Sequence, residues 1–183
     1  MGRVQIDVHR KERPYDMLFF SDFKVVKWLI RLRDQIDPYY GDTLDRDYFS
    51  AGNVKDLNQE IICTYIYLDE LIKMCNFDPI QLKIIKASFE GYSFAQMEKE
   101  LRLGDQKNLR KRFNTICRKI VEANNYLWKI YTHRFYSNTT FKKCAMCKKE
   151  LPMHLDFFSL DLSNKDKFRS YCKKCSNSYG KRG

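Results

Sequence analysis

The stretch that decides the fold of the C-terminal part is Cys144-Ala-Met-Cys147, followed by 24 residues and then by Cys172-Lys-Lys-Cys175. Each C-x₂-C pair forms a tight turn that presents two sulfur ligands, and two such pairs at this separation suit tetrahedral zinc. A module of about 40 residues buries too little apolar surface to fold unaided, so the metal would supply its stability. The spacing therefore predicts one structural Zn²⁺ with no open position for catalysis.

The segment between the two cysteine pairs predicts a short β-hairpin with an aromatic face. Phe157 and Phe158 precede a polar turn at residues 163–166, and Phe168 and Tyr171 follow it. Two disulfides or a redox-active C-x-x-C are the alternatives, but disulfides need an oxidising compartment and the chain shows no export signal. His154 offers an alternative metal ligand.

The same tail resembles a zinc ribbon that is common in proteins of phages and mobile elements. The residues that carry the resemblance are the two cysteine pairs, Leu151-Pro152, Phe157-Phe158, Lys165-Asp166 and Tyr171-Cys172-Lys173-Lys174-Cys175. Lys148 stands where a glycine often follows the second cysteine. Because such ribbons are often joined to nuclease or DNA-binding domains, the resemblance implies a neighbouring domain of that kind.

Upstream of the ribbon, capping residues and apolar spacing predict helices. One helix opens at Ser21-Asp22 and stops before Asp37-Pro38, and a second runs from about Val54 to Cys75. Asp78-Pro79 opens a third helix that continues to about Phe89. Cys63, Cys75 and Cys117 fall in these apolar helical surroundings without a pairing pattern, which indicates buried thiols.

The next segment has the layout of a helix-turn-helix. Ser93 and Gln96 form a capping box for a short helix that ends at Leu103-Gly104, and a long helix follows from Gln106 to about Arg134. The apolar stripe Leu109, Phe113 and Ile116 would face the core. The first turns would then expose side chains that contact phosphates and base edges, namely Gln106, Lys107, Asn108, Arg110, Lys111, Arg112 and Asn114. An ordinary helical core with a solvated basic face is the alternative.

Residues 82–120 also resemble the promoter-binding C-terminal domain of bacterial sigma factors and related regulators. The matching features are Ile84-Ile85, the run Phe89-Glu90-Gly91-Tyr92-Ser93, the run Met97-Glu98-Lys99-Glu100-Leu101, Leu103-Gly104 and the run Leu109-Arg110-Lys111-Arg112-Phe113. The resemblance implies binding of double-stranded DNA. Many regulators and phage packaging proteins share these features.

The net charge of +11 is unevenly distributed along the chain. Residues 1–78 carry −3, residues 79–131 carry +6 and residues 132–183 carry +8. A basic C-terminal region of this kind favours a polyanionic partner. The ribbon would add phosphate contacts from its lysines, Lys142, Lys143, Lys148, Lys149, Lys173 and Lys174.

Together these features predict a mainly α protein, in which a multi-helix domain contains a helix-turn-helix and a small C-terminal β-hairpin forms a zinc ribbon. The predicted divisions are an N-terminal arm (1–20), an acidic helical domain (21–78), the helix-turn-helix with its long helix (79–136) and the ribbon with a basic tail (141–183). No apolar run approaches the roughly 20 residues of a membrane span, so we expect a cytoplasmic protein.

No catalytic motif is recognisable in the sequence. The histidines are His9, His133 and His154, and they show no clustering with asparagine of the kind that a His-Asn-His nuclease needs. Phosphate-binding glycine loops and nucleophile motifs are also missing. Asp42, Asp45 and Asp47 could bind a divalent ion, although a solvated acidic loop is favoured. We therefore expect a protein that is not an enzyme.

The leading hypothesis is a sequence-selective double-stranded-DNA-binding protein of phage or mobile-element type that regulates transcription. Its N-terminal helices would mediate self-association or contact RNA polymerase. A DNA-packaging protein similar to a small terminase subunit and a zinc-ribbon protein-interaction adaptor are the alternatives. RNA binding also stays open, because ribbons and basic helices serve both nucleic acids.

Overall fold

The computed structural model describes residues 19–35 and 59–179. The predicted N-terminal arm up to residue 18, the acidic loop with Asp42, Asp45 and Asp47, and the start of the second predicted helix lie outside the described residues. The described part is mainly helical and has two small antiparallel sheets, which confirms the predicted fold class at that level.

The described residues form six α-helices. Their bounds are α1 Phe23–Leu32, α2 Gln59–Met74, α3 Pro79–Phe89, α4 Phe94–Lys99, α5 Gln106–Phe135 and α6 Lys173–Tyr179. Short 3-10 turns flank α1 at Phe19–Ser21 and Arg33–Gln35. The sequence predicted α1 to α5 within a few residues, whereas α6 was not predicted.

The helix starts follow the side-chain caps that the sequence indicated. Asp22 accepts a hydrogen bond from the Lys24 backbone N–H and caps α1. Asp78 and Gln81 form a reciprocal capping box at α3, and Pro79 takes the first helical position, where its missing N–H costs nothing. The predicted capping box of Ser93 at α4 is likewise confirmed.

Gly91 ends α3 in a backbone conformation that glycine adopts readily. Its φ of 79° lies in the left-handed region, and a Cβ built there would lie 2.4 Å from an oxygen of Asp34. The turn is fastened from α1, since the Arg31 guanidinium donates to the Tyr92 carbonyl at 3.0 Å. Gly91 therefore permits both the turn and the close approach of Asp34.

The described residues divide into two compact units, with the division between Asn125 and Tyr126, inside α5. The first unit has an apolar core to which each of α1 to α5 contributes, and α5 supplies the predicted stripe. The buried apolar side chains of these five helices are Val26, Leu29, Ile30, Leu68, Leu71, Ile84, Ile85, Ala87, Met97, Leu109, Phe113, Ile116, Cys117 and Ile120.

One buried polar side chain of the first unit, Asn124, is held by hydrogen bonds. Its amide oxygen accepts from the Tyr67 hydroxyl at 2.9 Å, and its amide nitrogen donates to the Ser21 hydroxyl at 3.3 Å. A buried amide without partners would be costly, so these bonds offset its desolvation. They also connect α2 and the residue before the α1 cap to α5.

The second unit contains two antiparallel hairpins. In the first, β1 (Phe141–Lys143) pairs with β2 (Glu150–Pro152), and in the second, β3 (Phe158–Leu160) pairs with β4 (Phe168–Cys172). The second hairpin confirms the one predicted from the aromatic residues. The core of the second unit consists of Leu151, Phe157 and Phe158 together with Cys144 and Cys172.

The end of α5 belongs to this second unit. Tyr126 and Ile130 pack against the ribbon core, and the Tyr126 ring meets the Phe157 ring edge-on. Lys129 forms an ion pair with Asp156 at 2.9 Å. The sequence prediction began the ribbon at residue 141, whereas the compact unit includes about ten residues of α5 as well.

Among the described residues, no helix combines the length and the apolar character needed to cross a membrane.

Candidate metal centre and candidate nucleic-acid interface

The four predicted cysteine ligands converge. Cys144 and Cys147 lie in the turn between β1 and β2, Cys172 ends β4, and Cys175 lies in the first turn of α6. Their sulfur atoms all lie within 4.8 Å of one another, an arrangement that could hold a metal ion. The sulfurs of Cys147 and Cys172 are 3.9 Å apart.

Backbone hydrogen bonds shape the first cysteine turn. The Lys148 N–H donates to the Cys144 carbonyl at 2.9 Å, and the Cys144 N–H donates to the Lys149 carbonyl at 3.0 Å. Closing this turn places Lys148 in the left-handed region, at φ 60°. Glycine adopts this backbone region without strain, so the lysine is accommodated there at a conformational cost.

The surroundings of the four sulfurs favour ionisation of one thiol, that of Cys144. Burial opposes ionisation of the Cys144 thiol, but backbone N–H groups of Cys172, Cys147 and Met146 together lower its pKa to about 6. Burial, followed by the neighbouring sulfurs, raises the pKa of Cys175 to about 12. A cation among the four sulfurs would reverse that second effect, because it stabilises every thiolate that it contacts.

No disulfide joins cysteines among the described residues. All seven are free thiols, and a sulfur separation of 3.9 Å is far from the roughly 2.05 Å of a disulfide bond. The prediction that the remaining three are buried holds for Cys117, where burial raises the pKa to about 12. It is wrong for Cys63, which is exposed on α2, and Cys75 is only partly buried.

The first half of α5 presents a cationic face. Arg110, Lys111 and Arg118 lie three, four and eleven residues after Lys107, these four side chains are exposed, and Asn114, seven residues after Lys107, is half-buried. Residues at these spacings share one side of a helix. Arg112 is also exposed but falls on another side. No ion pair within the described ranges involves Lys107, Arg110 or Lys111.

Two predicted DNA contacts at the start of α5 already have partners. The Gln106 amide donates to the Glu98 carboxylate at 2.9 Å, and the Asn108 side-chain amide donates to the Asp105 carboxylate. The Asn108 backbone N–H also donates to Asp105, at 3.0 Å. Asp105 is therefore the cap of α5, and this hydrogen bond is the main cause that lowers its pKa. An aspartate just before a helix is a capping signal in the sequence itself.

The ribbon lysines fall into distinct environments. Lys143, Lys148, Lys149 and Lys173 are exposed. Lys142 is turned inward, because its ammonium pairs with Asp166 and lies 5.3 Å from the centre of the Phe158 ring, and only 17% of its side chain is exposed. Lys174, the last of the six predicted lysines, places its ammonium 3.3 Å from the centre of the Tyr126 ring.

A second group of titratable side chains in the ribbon unit was not predicted. His133 near the end of α5 and His154 after β2 bring their rings within 4.5 Å, centre to centre, and the His154 Nδ1 lies 3.3 Å from a carboxylate oxygen of Asp156. Burial lowers the pKa of His133, and the nearby His154 lowers it further. The prediction that no histidine–asparagine cluster is present does not concern this pair, whose proximity was not anticipated. Their separation of 21 residues concealed it.

In comparisons with protein-family models, with curated proteins and with solved structures, the chain gives no match.

Proposed function

We propose that the chain is a sequence-selective double-stranded-DNA-binding protein of phage or mobile-element type, in which the first turns of α5 enter the major groove. The observation that carries this proposal is the exposed cationic face of α5. Four exposed cationic side chains on one side of a helix can neutralise phosphates along a groove, and each contact releases counterions on binding. Its action would be the regulation of transcription, without catalysis.

The environment of this face supports a helix-turn-helix. The short α4 is fastened to α5 because the Phe94 ring meets the Phe113 ring edge-on at 5.5 Å and the Met97 side chain is fully buried. Between the two helices, Gly104 has a φ of 119°, which lets the chain turn sharply before the Asp105 cap. A short helix followed by a turn and a longer basic helix is the arrangement that places a recognition helix in DNA.

Among the α5 side chains, those on the cationic face suit base contacts best. Arg110 can donate two hydrogen bonds to guanine, and Asn114 can pair with adenine in the major groove. Gln106 and Asn108 are engaged by Glu98 and Asp105, so they would position the helix rather than contact bases. Specificity would then depend on Arg110, Lys111 and Asn114.

In this proposal the cysteine cluster holds one structural Zn²⁺. Tetrahedral zinc with bonds of about 2.3 Å to sulfur places its ligand sulfurs about 3.8 Å apart, close to the 3.9 Å between Cys147 and Cys172. The backbone N–H of Cys172 donates to the Cys144 sulfur at 3.3 Å, as donors commonly do to ligating thiolates. The exposed lysines 143, 148, 149 and 173 would add phosphate contacts.

The test compares two matched pairs of charge removals in the full chain. Arg110→Ala with Lys111→Ala is set against Lys24→Ala with Lys27→Ala, two exposed lysines of α1. Binding to a pool of random-sequence duplexes is measured by fluorescence anisotropy at several salt concentrations, and the bound fraction is sequenced. We expect the α5 pair to lose tenfold or more in affinity, to lose sequence enrichment and to reduce the salt slope by about 2.

Equal losses in the two variants would refute the role of α5, because both remove two positive charges. If the wild-type chain bound duplex DNA and RNA of the same length with equal affinity, the proposed partner would be nucleic acid in general and not double-stranded DNA. Absence of binding to any nucleic acid at physiological salt would favour the protein-interaction adaptor.

A further inference from the structure

Three side chains of the ribbon unit form a cluster apart from the four cysteines. His133, His154 and Asp156 each offer one ligand atom, and these atoms lie within 4.8 Å of one another. We propose that this cluster is a second metal site, which binds a divalent transition ion of the zinc class through two imidazoles and one carboxylate. The inference depends neither on DNA binding nor on which metal the cysteines hold.

Hydrogen bonds already orient the first imidazole. The Nδ1 atom of His133 lies 3.2 Å from the Ser137 hydroxyl and 3.1 Å from the Thr139 hydroxyl. With Nδ1 engaged by hydroxyl groups, Nε2 is left as the ligand atom. An outer hydrogen bond on the other ring nitrogen is the usual way in which a metal-binding histidine is held in place.

The second imidazole and the carboxylate face each other at a separation that suits a shared ion. The Asp156 backbone N–H donates to the His154 Nδ1 at 3.2 Å, so this nitrogen is unprotonated, and a metal ion would compete with that N–H for its one lone pair. The Oδ2 atom of Asp156 lies 3.3 Å from the same Nδ1. Two ligands on one tetrahedral zinc, at bond lengths of about 2.1 Å, are about 3.4 Å apart. A cation between these two atoms would take the place of the Asp156 N–H at the His154 Nδ1 and form a bond to each of them.

Lys129 affects the strength of the site without blocking it. Its ammonium pairs with Oδ1 of Asp156 at 2.9 Å and leaves Oδ2 toward His154. Because a positive charge so near repels a metal ion, we expect weaker binding here than at the four cysteines. Two imidazoles and one carboxylate suit Zn²⁺, Co²⁺ and Ni²⁺, and three protein ligands leave a fourth position for water or another small ligand.

Cobalt titration of the full chain tests the proposal, because Co²⁺ reports its ligands by absorption. Sulfur ligands give an intense charge-transfer band, whereas nitrogen and oxygen ligands give only weak ligand-field bands. We expect two equivalents of Co²⁺ in the wild-type chain, the first with charge transfer and the second without it. His154→Ala should lose the second equivalent and keep the first. His9→Ala, which removes the remaining histidine of the sequence, should retain both.

The charge-transfer band monitors the ribbon fold in the same sample, so a variant that fails to fold is recognised directly. If His154→Ala disturbs that band, His133→Ala and Asp156→Asn provide the same comparison. A wild-type chain that binds Co²⁺ only with charge transfer would overturn the proposal. Retention of the second equivalent in the histidine and aspartate variants would overturn it as well.

Discussion

The first compact unit, up to Asn125 (the helical unit), and the second, from Tyr126 onward (the ribbon unit), obtain their stability by different means. The helical unit buries apolar side chains from five helices, and Asp22, Asp78 and Ser93 satisfy the N–H groups at three of the helix starts. The ribbon unit has strands of three to five residues and a core of Leu151, Phe157 and Phe158 beside its cysteines. Two-stranded hairpins of this size are marginal in water, so the ribbon needs a cross-link that the helices do not need.

The two units should therefore tolerate different changes. In the helical unit, stability is distributed over many contacts, and losing one of them leaves the others in place. In the ribbon, four side chains from both hairpins and α6 meet at one point. A single defect at that point should therefore affect the whole ribbon.

Metal removal should have the largest effect. A strong chelator, or Cys172→Ser, should unfold residues from about 141 onward and leave the helical unit folded, because metal binding supplies roughly 10–16 kcal/mol to such modules. Backbone NMR spectra before and after chelation, with metal content measured in parallel, would show this. Cys63→Ser is the matched control, since Cys63 is exposed and distant in sequence from the cluster. Loss of the helical signals as well would show that the two units are one folding unit.

A core truncation in α5 should destabilise the helical unit and leave the ribbon unit folded, with a smaller change in free energy than metal removal. Phe113 is fully buried and contacts Phe94, so Phe113→Ala should lower the free energy of unfolding of the helical unit by about 3–5 kcal/mol. Denaturant titration of the metal-loaded chain gives this value, and the metal content should not change. Leu82→Ala on α3, at a side chain that is 49% exposed, should have an effect below about 1 kcal/mol. A similar loss in both variants would contradict the assigned core.

The helices were predictable because their signals are local. The Asp78-Pro79 cap and the Ser93 capping box each determine a helix start within four residues of sequence, and the stripe of Leu109, Phe113 and Ile116 determines the buried side of α5. The cysteine cluster was predictable for a related reason. Its two halves are local motifs, and only their meeting depends on the tertiary fold.

Features that depend on tertiary contacts alone were not predictable. His133 and His154 meet because α5 and the segment after β2 pack together within the ribbon unit, and no periodicity marks either residue. Lys142 resembles the other ribbon lysines in sequence, yet its pairing with Asp166 turns it inward. Cys63 lies on an apolar helix but on its exposed side. For His133, His154 and Lys142, the local sequence permits several environments, and a distant partner selects one.

Replacing Lys148 by glycine should change stability least among these substitutions, and only in the ribbon unit. Because Lys148 has a φ of 60°, Lys148→Gly should relieve left-handed strain, partly offset by the greater flexibility of glycine in the unfolded chain. We expect a gain of about 0.5–1 kcal/mol, seen as a higher chelator concentration at half-loss of the metal. Lys149→Gly removes the same charge at a residue whose backbone is not left-handed, so it should give no gain. Because four thiolates and one Zn²⁺ leave about −2 at the cluster, loss of a nearby lysine charge should by itself weaken metal retention in both variants, so an equal change in the two would contradict a role for the Lys148 backbone.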